Sequence, residues 1–240
     1  MVWLLGLGIK IDNNMKTLIH KTTLLASCVL AIFISSCTKD NDNVVKAKVQ
    51  LVNASPDAGA SNLYVNSSQT NTSKVAYGTA SGYSDVNIGN GQTVEVKSTS
   101  GSTLASTTSD FDAGTNYSVF LTGQSSASNL SAIVTKDDQT APSSGNVKIR
   151  FVNAASISPS IDLTSSGSVF FSAQSYKAVT AYVEKPAGAY VFKLNIAGSS
   201  TALVTTPSIT LQSGKIYTIF AKSLLVSGSL VLDAAVIANN

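Results

Sequence analysis

Two apolar patches, residues 2–9 and 24–37, open the chain, and a short polar gap separates them from a long stretch with a different rhythm. From Val44 onward, runs of β-branched and aromatic residues alternate with Gly, Asn, Ser and Pro. Residues 48–53, 93–97, 117–122 and 130–135 are such runs, and each predicts a strand. The alternation is clearest in Tyr190-Val191-Phe192-Lys193-Leu194-Asn195-Ile196. Its even positions are large and apolar while Lys193 and Asn195 face the other way, which predicts one buried sheet face and one wet one. No stretch after Cys37 sustains a helical period.

The runs also recur. Val49-Gln50-Leu51-Val52-Asn53-Ala54 returns as Ile149-Arg150-Phe151-Val152-Asn153-Ala154, and Gly114-Thr115-Asn116-Tyr117-Ser118-Val119-Phe120 returns as Gly214-Lys215-Ile216-Tyr217-Thr218-Ile219-Phe220. Between these landmarks, Tyr77 and Tyr83 match Tyr176 and Tyr182. Landmarks in one order at both ends and in the middle of a unit mean two copies of one domain rather than a short-period solenoid. Seven or eight strands in roughly 95 residues suit a small sandwich. The chain is therefore expected to be all-β, with two tandem Ig-like β-sandwich domains at residues 46–138 and 146–240 joined by a polar linker, 139–145. Because that join is polar, the copies are expected to fold separately.

The apolar run 24–37 explains the address. Lys16, His20 and Lys21 precede it, Ser35 and Ser36 end it, and it falls short of the roughly 20 apolar residues of a spanning helix. Ile34-Ser35-Ser36-Cys37 resembles the lipobox of bacterial lipoproteins, in which cleavage makes the cysteine the new N-terminus and acyl chains are attached to it. That resemblance implies a signal peptide over 1–36, lipidation at Cys37 and stable anchoring through more than one chain. Residues 1–14 read as an early-assigned start ahead of Met15. The tether 37–45 reaches about 20 Å across its polar portion, which keeps the first domain near the bilayer. Its acidic pair, Asp40 and Asp42, resembles the export signal that sends Bacteroidetes-type lipoproteins to the outer face of the outer membrane; a plain solvated tether is the alternative.

Val52-Asn53-Ala54-Ser55-Pro56-Asp57-Ala58-Gly59 at the head of the repeat resembles the signature of a bacterial domain of unknown function, number 4397. The likeness covers both copies. It implies a secreted or lipid-anchored protein, often with the domain in tandem, and no established activity. Copy two departs from it, with Ala155-Ser156-Ile157-Ser158-Pro159 where Ser-Pro-Asp would fall.

Composition then removes whole classes of chemistry. Cleavage before Cys37 discards the only histidine, His20, and the other cysteine, Cys28. Nucleophilic catalysis built on histidine or a free thiol, and zinc sites of His and Cys, are excluded. Of 16 basic and 13 acidic residues, Lys10, Lys16, Lys21 and Asp12 lie ahead of Cys37, so the mature body is close to neutral and does not suit nucleic acid.

Three sets of candidates remain. Asp57 in Ser-Pro-Asp-Ala-Gly is either a turn residue bonding its own backbone or the ligand group of an end loop. Tyr83 and Tyr182, with Tyr77 and Tyr176, are either stacking platforms for sugars or core residues. Asp110 and Asp112, flanking Phe111, are either the start of a calcium site or a turn into the next strand. The expected function is a lipid-anchored binding or structural module of the bacterial outer membrane, with no enzymatic activity and no cofactor, and with a glycan or an envelope protein as partner. Glycan capture is the alternative, followed by a hydrolase resting on Asp57, Asp110, Asp112, Glu95 and Glu184.

Overall fold

Residues 45–240 are described by a computed structural model; the signal segment, Cys37 and the tether up to Val44 lie outside the described residues. The strand runs and their Gly, Asn and Ser punctuation build eighteen strands and, among the described residues, no helix. Copy one supplies β1 (Ala47–Asn53), β2 (Ser61–Val65), β3 (Ser68–Gln69), β4 (Ser84–Val86), β5 (Gly89–Ser98), β6 (Thr103–Phe111), β7 (Asn116–Thr122) and β8 (Ser131–Asp137). Copy two supplies β9 (Asn146–Asn153), β10 (Ile161–Ser165), β11 (Ser168–Gln174), β12 (Val183–Pro186), β13 (Gly188–Tyr190), β14 (Phe192–Ile196), β15 (Ala202–Thr205), β16 (Ile209–Leu211), β17 (Ile216–Val226) and β18 (Ser229–Ala238).

Each copy is a β-sandwich of two four-stranded sheets, ordered β4-β1-β7-β8 and β3-β2-β5-β6 in the first, β12-β9-β17-β18 and β11-β10-β14-β15 in the second. Strands β13 and β16 make a small extra pair in copy two. At the centre of each inner sheet two strands run parallel, β1 with β7 and β9 with β17, in one register: Val49 faces Tyr117 and Ile149 faces Tyr217. Val49, Leu51, Tyr117, Val119 and Leu121 point into the core of copy one, against Leu63, Val94, Val96 and Phe111. Ile149, Phe151, Ile219 and Ala221 do the same in copy two, against Ile161, Leu163, Phe192 and Leu194.

The polar linker does not separate the copies, which belong to a single unit spanning residues 45–240. A third apolar cluster draws Val52, Ala54, Phe120 and Ile133 from copy one and Val152, Ala154, Phe220 and Ile237 from copy two. Strands β1, β7, β9 and β17 are thus buried on both faces, and the two inner sheets pack on each other to give four layers of sheet. Full burial on both faces is what parallel strands require of their surroundings.

The run from Tyr190 to Ile196 corrects the sequence reading in two places. It breaks at Val191, where the chain leaves the β13–β16 pair and enters the outer sheet as β14. Phe192 and Leu194 are buried and Lys193 is exposed, as the alternation requires, but Asn195 is buried opposite Asp162 and Ile196, the last residue of the strand, is 45% exposed. The bulge in this sheet lies on β15, where Leu194 and Asn195 face Val204 and Ala202, so β14 keeps its two-residue period.

Candidate functional site

The densest polar chemistry lies in the seam between the inner sheets, at the end where β7 and β17 begin. Two matched chains of hydrogen bonds run through it. In copy one, Gln50 Nε2 donates to Ser118 Oγ (2.8 Å), which donates to Asp137 Oδ2 (2.7 Å). In copy two, Arg150 Nε donates to Thr218 Oγ1 (2.9 Å), which donates to Asn239 Oδ1 (2.7 Å). The parallel pairing of β1 with β7 and of β9 with β17 sets each first step, because Gln50 faces Ser118 and Arg150 faces Thr218 in register.

The chains are then tied to each other. Arg150 Nη2 donates to Asp137 Oδ1 in an ion pair whose side chains are 1% and 0% exposed. Arg150 Nη1 donates to Thr135 Oγ1 (3.1 Å) and the Lys136 carbonyl (2.9 Å), so the guanidinium is held on several sides. Tyr83 donates from its hydroxyl to Asp137 Oδ2 (2.5 Å) and accepts from Asn239 Nδ2 (3.2 Å). The ring of its mate Tyr182 lies under the Arg150 guanidinium, 4.8 Å from ring centroid to Cζ. Burial pushes the Tyr182 hydroxyl up to about 12, with the Arg150 charge pulling against it. Burial also raises Tyr83, and the Asp137 carboxylate beside it adds to the rise.

The other end of the seam uses the second tyrosine pair. Tyr77 donates to the Ser223 carbonyl (2.6 Å) and accepts from Lys222 Nζ (3.0 Å), which is paired with Asp233. Tyr176 lies 3.3 Å from the Thr122 hydroxyl, which in turn donates to the Ala154 carbonyl. Tyr77, Tyr83 and Tyr176 therefore contact the opposite copy, while Tyr182 packs on Arg150 of its own copy.

The remaining candidates are engaged locally and far apart in role. Asp57 accepts from the backbone N–H groups of Ser125 (2.7 Å) and Ser126 (2.9 Å), which pins the β7–β8 loop to the head of the repeat. Burial works against the charge on Asp57, but those hydrogen bonds outweigh it and hold its carboxyl below the usual range. In copy two the matching residue is Ile157, so that tie is missing. Asp110 accepts from Gly91 N (2.7 Å), and Asp112 pairs with Lys136 Nζ (2.5 Å), which lowers its pKa. Phe111 between them is buried. Among the described residues no group of three or more His, Cys, Asp or Glu comes together to hold a metal. Glu95 pairs with Lys97 (3.0 Å), and Glu184 accepts from Ser143 N (3.2 Å) on the linker.

Arg150, Asp137, Gln50 and Asn239 were not singled out from sequence. Gln50 and Arg150 alternate with apolar neighbours as solvent-facing positions do, and nothing local says that a second sheet covers them. One signal was present: Arg150 is the only arginine in the chain, and it sits inside the best-repeated strand.

Beside this cluster opens a shallow groove of about 510 Å³, lined by Thr115, Lys136, Asp138, Arg150, Thr180 and Tyr182. Lys148 donates to Asp138 at its margin (2.6 Å) and holds that carboxyl down to about 2. A second hollow, of about 250 Å³, lies in copy one among Lys46, Asn66, Gln69, Asp85, Asn87 and Gln92.

No curated protein matches the chain. A family model does, over residues 47–164 and again over 155–239, so that the overlapping matches take in both sandwiches, and the chain belongs to that family, the Domain of unknown function (DUF4397).

Proposed function

We propose that this protein is a lipid-anchored component of the bacterial outer membrane in which two family domains, fused through their inner sheets, serve as one binding or structural module rather than as an enzyme. The anchor rests on the signal run and Cys37. The observation that carries the module reading is where the reactive side chains go: Arg150, Asp137 and Tyr83 hold the copies together, Tyr182 packs on Arg150, and Asp57, Asp110, Asp112, Glu95 and Glu184 each have a local partner. Hydrolysis by two carboxylates needs a facing pair free to act on either side of a bond. The acids named above stand apart in separate local pairs. The acidic pair in the tether supports display on the outer face.

Two measurements test the reading. Metabolic labelling with a fatty acid should tag the wild-type protein and not Cys37→Ser, which should leave the membrane fraction or stay uncleaved; label retained on the serine variant would overturn the anchor. A glycan array probed with residues 46–240 should show no specific binding if the module is structural. Specific binding abolished by a substitution beside the groove, such as Thr180→Trp, would establish glycan capture instead.

A further inference from the structure

The seam is built as a two-fold interface, but its charges are not two-fold. Each relay has the same design: a side chain on the first strand of the copy donates to a hydroxyl on its parallel partner, and that hydroxyl donates to a side chain near the end of the copy. The occupants are Gln50, Ser118 and Asp137 in one copy and Arg150, Thr218 and Asn239 in the other. Asp137 and Asn239 are true mates: Asp137 faces Asn116 across β7–β8, and Asn239 N donates to the carbonyl of Ile216, the counterpart of Asn116 (2.8 Å). The apolar middle of the seam keeps the symmetry, with Val52, Ala54 and Phe120 matched by Val152, Ala154 and Phe220.

We infer that Arg150 and Asp137 form a pairing code, which makes the inner face of each copy accept the other copy and reject a second copy of its own kind. The reasoning is electrostatic. Two first copies joined through this seam would bury two Asp137 carboxylates opposite two Gln50 amides, with no cation at the relay ends. Two second copies would bury two Arg150 guanidinium groups opposite two Asn239 amides, with no carboxylate there. Only first-with-second pairing places one cation against one anion. A buried charge whose partner is removed is strongly destabilising, whereas neutral amides at all four positions would carry no preference. The apolar centre supplies attraction that is blind to identity, and the charge pair supplies the discrimination. The partner this surface fits is therefore a domain of the same fold bearing the opposite member of the pair, including the complementary copy of another molecule.

The test keeps the protein whole until it has folded. A protease site is placed in the linker at the exposed Ala141, the folded protein is cut, and the halves are allowed to exchange before native mass spectrometry. Wild-type halves should re-pair only as first with second, with homotypic pairs at least about a hundredfold rarer than in the neutral variant Arg150→Gln with Asp137→Asn. Moving the charges to the mate positions, by adding Gln50→Arg and Asn239→Asp to the neutral variant, should restore exclusive first-with-second pairing. Homotypic pairs in cut wild type as abundant as in the neutral variant would overturn the inference, and so would wild-type halves that separate without pairing. If the neutral variant fails to fold, the wild-type halves decide alone, since a statistical mixture of pairs is incompatible with the code.

Discussion

Phe120 and Phe220 hold the same place in the two copies and touch each other edge to face across the seam, with ring centroids 5.7 Å apart and planes inclined at 64°. Equivalent residues of two copies meet only where a two-fold relation passes between them, so this contact marks the pseudo-symmetry axis of the molecule. Both rings are fully buried. Phe120→Ala and Phe220→Ala should each cost about 3 to 5 kcal/mol in denaturant unfolding, and the double variant should cost less than their sum by about 0.5 to 1.5 kcal/mol. Strict additivity would mean that the rings do not depend on each other.

Alkaline titration reads the polar end of the seam. The Tyr182 hydroxyl ionises at about 12 in the folded protein against about 10 in an unfolded chain, and Tyr83 is shifted in the same direction. A pKa raised by folding contributes stability that is whole below about pH 10 and is lost as pH climbs toward 12. Of the eight tyrosines in the chain, these two should stay un-ionised by ultraviolet absorbance after exposed ones have titrated, and should ionise together with unfolding. Smooth titration of all eight near pH 10 in folded protein would contradict their placement.

Strand β14 tests the register. Phe192 is fully buried beside Tyr190 and Phe170, with the Tyr190 ring stacked on it at 5.6 Å, while Lys193 is exposed. Phe192→Ala should cost about 3 to 5 kcal/mol and Lys193→Ala no more than about 0.5 kcal/mol, compared through denaturant midpoints. Equal costs would remove the half-buried strand.

These residues also show how far the sequence could be read. Phe192, Lys193 and Leu194 were legible because a lone sheet with one wet face imposes a two-residue period. Asn195 and Ile196 were not, because their burial departs from the unbroken period of β14: Asn195 is buried opposite Asp162, and Ile196 ends the strand exposed. The burial of Gln50 and Arg150 was not legible for a larger reason. A polar residue between apolar ones signals solvent only if nothing covers that face, and the covering sheet begins 100 residues away in the chain. The repeat itself was plain, but several of its landmarks, Val52, Phe120, Tyr77, Tyr83 and Tyr176, lie at the seam and touch the opposite copy.

A difference between the copies gives a stabilising change. Gly78 N donates to the Asn53 carbonyl (2.7 Å) at φ 76°, and Lys177 N makes the same bond to Asn153 (2.8 Å) at φ 69°. The left-handed region suits glycine and penalises lysine. Lys177→Gly should raise stability by up to about 1 kcal/mol, seen as a higher thermal midpoint, because the exposed Lys177 ammonium over the Tyr176 ring contributes less than the backbone strain costs. A lower midpoint would show that the cation and the ring outweigh that strain.

The central claim is that the two sandwiches form one body through Val52, Phe120, Val152, Phe220 and the Arg150–Asp137 pair. Differential scanning calorimetry of residues 45–240 tests it most directly. A shared core predicts a single transition whose calorimetric and van't Hoff enthalpies agree. Two resolved transitions, each with the enthalpy of one copy, would contradict it.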